Sequence, residues 1–138
     1  MTVPHPIERL AAVFCAAACI VITILVWRSV SSSQNTWPFP ALYFLELMLL
    51  GMAVALAFLR PSQSRAVVAM AASGVLAAFS MLGAWTVGLV YVPAALAALI
   101  AGLAAEVRNK GSILAHAGVF LIAALAQAAV MLAMASMF

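Results

Sequence analysis

Polar residues fall along this chain in short clusters, and the stretches between them stay apolar for longer than a soluble helix or strand requires. Residues 10–27 carry no charge, residues 41–59 carry only Glu46, and the 40 residues 66–105 carry none at all before Glu106. A helix needs about 20 residues to cross a bilayer core of about 30 Å, whereas a single helix of 40 would extend about 60 Å. The long run must double back. Gly83 and Gly88 bracket the best site for a reversal, with Trp85 between them and Pro93 shortly into the next helix. The pattern therefore predicts an all-α bundle of five transmembrane helices in a single domain, residues 1–138, with spans at about 10–27, 41–59, 66–82, 89–105 and 113–134. Four helices, with the long run crossing once, is the alternative.

The connecting segments support five. Residues 28–40 are rich in Ser and close with Trp37, Pro38, Phe39 and Pro40, where proline cannot continue a helix from either side. Pro61 lies between Arg60 and Arg65. With five spans, Arg9, Arg60, Arg65, Arg108 and Lys110 share one side and Arg28 stands alone on the other; with four, the basic residues divide equally. Cytoplasmic loops carry the excess of Lys and Arg, so the five-span chain has its N-terminus inside and its C-terminus outside. The same arrangement gathers every Trp and Tyr (Trp27, Trp37, Tyr43, Trp85 and Tyr91) near the outer boundary, where amphipathic rings settle.

Composition sharpens the class without naming an activity. The chain is 69% hydrophobic and 7% charged, with a mean hydropathy of +1.27, against about 25% charged residues in soluble domains. Its six basic residues flank the hydrophobic runs as anchors and form no basic face, which argues against nucleic acid as a partner. The 18-residue run 10–27 exceeds the 7–15 of a signal-peptide core, so the first helix is expected to remain uncleaved. Cys15 and Cys19, one turn apart on a single helix, suit close packing and not a disulfide.

The stretch 83–93, GAWTVGLVYVP, followed by Ala94, Ala95 and Leu96, resembles a G-A-F-S-I-G-x-x-x-L-P-A-A pattern of small uncharacterised bacterial polytopic membrane proteins. Trp85 and Thr86 stand where that pattern has Phe and Ser. The resemblance implies a bacterial inner (plasma) membrane and no biochemical function.

Ionisable groups within a membrane are costly and are functional candidates by default. The sequence offers Glu46, about five residues into the second span, and His116, one turn into the fifth. Glu46 either reaches the interface to pair with Arg28, one turn beneath Tyr43, or serves as a protonatable or cation-binding carboxylate in the bundle. His116 is expected to contact a carbonyl or headgroup, because the only other histidine, His5, lies in the N-terminal tail. Gln127 follows His116 by three turns on one face, which should point at protein. Thr23, Glu46, Ser80 and Gln127 are predicted to form an outer polar layer beneath Arg28. Glu106, Arg108 and Lys110 read as a solvated interfacial cluster.

Small residues mark packing surfaces: Ala12, Cys15, Ala16, Cys19 and Thr23 on the first span, Gly74 with Ala78, and Ala98 with Gly102. Pro93 should begin the fourth helix. No phosphate loop, zinc spacing, nucleophile elbow or carboxylate pair is present, so no cofactor, metal or catalytic role is expected. Two functions fit: a non-catalytic accessory or scaffold subunit of a larger membrane assembly, with Met131, Met134 and Met137 in its last turns, or a small oligomeric transporter or channel using Glu46 and Gln127. The bilayer, other membrane subunits or further copies of the chain would be its partners.

Overall fold

A computed structural model describes residues 4–31, 41–60, 64–83, 87–109 and 112–136. Trp37 to Pro40, Pro61, Trp85, Thr86, Lys110 and Met137, all used in the sequence reading, lie outside these residues. The described chain is helical: α1 Pro6–Ser31, α2 Ala41–Leu59, α3 Arg65–Leu82, α4 Val92–Asn109 and α5 Ile113–Ala135. All five are long and apolar enough to cross a membrane, so the single-crossing alternative for the long run is excluded.

Local chemistry accounts for the boundaries. Pro6 opens α1, where a missing N–H costs nothing. With 26 residues, α1 extends beyond its apolar run at both ends. Its first turn carries Glu8 and its last turn Arg28, each at the end whose partial charge it complements. Ser112 caps α5, its side chain accepting the Ala115 N–H at 3.4 Å. Between α3 and α4 the chain turns back through Gly83, and a short 3₁₀ turn, Gly88–Tyr91, leads into α4. The Gly88 N–H donates to the Gly83 carbonyl at 2.7 Å, and a Cβ on Gly88 would lie 2.7 Å from Gly83 Cα. Closeness, not an unusual φ, requires glycine at this turn. Pro93 occupies the second position of α4 and initiates it.

The arrangement follows from which faces are small. Helix α3 is central, packing against α2, α4 and α5, while α1 packs against α2 and α4. Eleven of the 18 residues of α3 are buried, but of the 23 in α5 only Gln127 is. From α3 and α4, Ala69, Ala72, Ala98, Ala101 and Ala105 enter the buried core, small residues of the kind that let backbones approach closely where lipid offers no hydrophobic drive. Gly102 faces the Met70 side chain at 3.0 Å from a notional Cβ. Gly74 is tighter, since its Cβ would collide with the Phe120 carbonyl oxygen of α5. Cys15 and Cys19 are free and fully buried, and their stripe is met by Gly51 of α2, where a Cβ would stand 2.8 Å from that of Cys19. Gly51 was missed as a packing residue in the sequence reading.

Alternation of direction divides the bundle into two ends. The starts of α1, α3 and α5 and the close of α4 share one, the basic end. The close of α1, the start of α2 and the α3–α4 reversal share the other, the hairpin end.

Candidate functional site

At the basic end, three helix termini bring together a cluster of charges. Glu8 of α1, Arg65 of α3 and Glu106 of α4 are 1%, 1% and 3% exposed. Arg108 of α4 straddles the Glu8 carboxylate, with Nε 3.1 Å from Oε1 and Nη2 donating to Oε2 at 3.2 Å. Arg65 Nε lies 4.0 Å from the same Oε2, which also accepts the His5 N–H at 3.2 Å. Arg65 Nη2 donates to Asn109 Oδ1 at 3.4 Å. The site thus ties α1, α3 and α4 through one carboxylate and two guanidinium groups, a planar fork geometry that suits carboxylates.

Beside it, His116 Nδ1 of α5 sits 3.0 Å from Glu106 Oε1 and 3.1 Å from the Ser112 carbonyl oxygen. The expected carbonyl contact is present, and the carboxylate is an additional partner. This arrangement corrects the reading of Glu106 and Arg108 as a solvated cluster, because Glu106 is sealed inside the packing and Arg108 is turned onto Glu8. Glu8, Arg65 and Glu106 are therefore buried ionisable groups that the sequence reading did not single out.

At the hairpin end the predicted layer resolves into two separate pairs. Thr23 is buried and its hydroxyl meets Tyr91 Oη at 2.9 Å, joining α1 to the 3₁₀ turn. Tyr91, in the 3₁₀ turn at the hairpin end, is fully buried. Its ring stands edge-on to Phe79, with centroids 5.4 Å apart, and Phe79 in turn meets Tyr43 at 6.2 Å. The second pair is Gln127 Nε2 of α5 donating to Glu46 Oε2 of α2 at 3.4 Å. Ser80 is buried, with its hydroxyl unbonded among the described residues. Arg28 is exposed on α1 and forms no ion pair with Glu46, so the pairing considered for Glu46 is not formed within the chain.

Chemically, the two ends differ. At the basic end the buried Glu8 carboxylate is shared by two guanidinium groups and the buried Glu106 is met by His116, whereas the hairpin end leaves Glu46 half-buried with a single long hydrogen bond. Among the described residues no three His, Cys, Asp or Glu side chains come together to hold a metal. Glu8, Arg65 and Glu106 were indistinguishable in sequence from anchors at the edges of apolar runs. The signal available was that acids at the start of α1 and the end of α4 share one membrane side with bases. No family model matches the chain, and neither do curated proteins or solved structures.

Proposed function

We propose that the chain is a non-catalytic accessory or scaffold subunit of a larger membrane protein assembly, seated in the bacterial inner membrane with its N-terminus in the cytoplasm. The observation that carries this reading is the state of α5. It is bound to the bundle almost wholly through α3, and it turns Leu121, Ile122, Leu125, Val130 and Leu132 outward at 51–70% exposure. A helix held along one side offers the rest of its circumference to another protein. The polar cluster at the basic end supports the reading from inside: Glu8 is met by Arg65 and Arg108, and Glu106 by His116, so these side chains tie helices together, a structural use.

The test is site-directed photo-crosslinking from Leu121 and Leu125 in native membranes. Both positions are expected to capture one and the same membrane protein distinct from this chain. Capture of lipid alone, or only of further copies, overturns the proposal.

A second reading, a small oligomeric transporter or channel, is favoured by one feature. Glu46 opens onto an α2 surface groove of about 460 Å³ in which it is the single ionisable group. Under this reading Glu46→Gln abolishes flux in reconstituted vesicles and leaves folding unchanged; for a scaffold that change leaves binding at α5 intact.

A further inference from the structure

Charge bookkeeping at the hairpin end points to a contact the single chain does not make. The protein has three acidic side chains, and two of them, Glu8 and Glu106, are committed at the basic end. Residues 32–40, 84–86 and 137–138 contain no charged side chain. The hairpin end therefore holds one acid, Glu46, and one base, Arg28. They do not meet within the molecule, where Glu46 receives only Gln127 at 3.4 Å.

Both residues nevertheless lie at one level. The Trp27 and Phe44 rings are in contact, with centroids 5.8 Å apart. Arg28 is one residue nearer the hairpin end than Trp27, and Glu46 two residues deeper than Phe44, a total offset of about 4–5 Å along the helix axes. A flexible guanidinium stem spans that offset readily.

Each residue also sits within an exposed stripe of helix-packing spacing. On α1 the stripe is Val21, Ile24, Leu25 and Arg28; its apolar members are 46–61% exposed. On α2 it is the groove of Leu42, Leu45, Glu46, Leu49, Leu50 and Ala53. Both follow the i, i+3, i+4, i+7 rhythm by which one helix seats against another.

We propose that copies of this chain associate in the membrane through these surfaces, with the α1 stripe of one copy in the α2 groove of its neighbour and Arg28 paired to the neighbour's Glu46. Rotation about the membrane normal keeps both residues at their level, so a two-fold pair or a ring makes the contact. The cation completes a carboxylate that is otherwise left with one hydrogen bond at a depth where ionised groups are costly. The inference goes beyond the scaffold reading and uses a different face from α5, so loss of one contact leaves the other measurable.

Counting subunits by stepwise photobleaching in phospholipid vesicles, at low protein-to-lipid ratio, tests it. The wild-type protein is expected to show more than one subunit per spot. Arg28→Glu and Glu46→Arg should each weaken association about tenfold or more, and the double exchange should restore it, as coupled charge pairs do. Where a reversed variant fails to insert, Arg28→Gln and Glu46→Gln, checked for wild-type helix content, should each lower the subunit number. A monomeric wild type overturns the proposal. So do neutral variants with the wild-type subunit number, the result if Arg28 only anchors to lipid phosphate, and so does a double exchange that inserts but does not recover association.

Discussion

Three glycines in similar helical surroundings carry very different mechanical demands. At Gly74 a Cβ would strike the Phe120 carbonyl and lie 3.2 Å from the Ala124 nitrogen, both rigid helical backbone, so α3 and α5 would have to separate. At Gly102 the obstacle is chiefly the Met70 side chain, which can swing aside. At Gly118 there is nothing within 4 Å. Gly74→Ala should therefore cost about 1–3 kcal/mol as an overpacking change, Gly102→Ala less than that, and Gly118→Ala close to nothing. Unfolding titrations in mixed micelles give the order, and equal costs at Gly74 and Gly118 would refute it. Gly74 and Gly102 stood out in the sequence through their small partners one turn away. What the spacing could not convey is which kind of atom, backbone or flexible side chain, each glycine meets.

The same distinction between spacing and convergence applies to whole helices. The five elements were legible because an uncharged 40-residue run has one physical solution, and Gly83, Gly88 and Pro93 supply the turn and the restart. Glu8, Arg65 and Glu106 were not legible as a site. A charge at the edge of an apolar run looks alike whether its side chain reaches to water or turns inward, and only the meeting of α1, α3, α4 and α5 decides. The partner of Tyr91 was hidden for a related reason: its place near the hairpin end was legible, but not that its hydroxyl turns inward to Thr23. Two expectations follow at this scale. Glu8→Gln leaves Arg65 and Arg108 without their shared carboxylate and should destabilise the bundle by about 3–5 kcal/mol, read as a shift in the same titrations; a shift within error refutes the structural role of the cluster. For α5, His116 near its start and Gln127 past its middle are the polar ties, to Glu106 and Glu46. His116→Leu should speed amide exchange near the start of α5 and Gln127→Leu in its second half, with α1 to α4 unaffected. Uniform change along α5 would mean that the Gly74 contact alone holds it.

For the whole molecule, orientation and association become one question. Arg9, Arg60, Arg65, Arg108 and Lys110 flank the membrane on one side in the five-helix order and Arg28 on the other. Arg65 and Arg108 end up paired with Glu8, yet orientation is set by Lys and Arg as the helices insert and acids contribute little. The pairing that later hides these charges does not erase their effect. Fusions before Met1 and after Phe138 should accordingly report opposite compartments, the N-terminal one cytoplasmic. A uniform orientation is also what places Arg28 of one copy level with Glu46 of the next, since an inverted neighbour would present its basic end there. Replacing Arg9 and Arg60 by Ala and adding lysines to residues 32–36 should therefore do two things together: produce a mixed orientation by reporter fusion, and lower the fraction of multi-subunit spots in vesicles. Mixed orientation with undiminished association would show that copies meet through surfaces indifferent to depth, and not through the Arg28–Glu46 level.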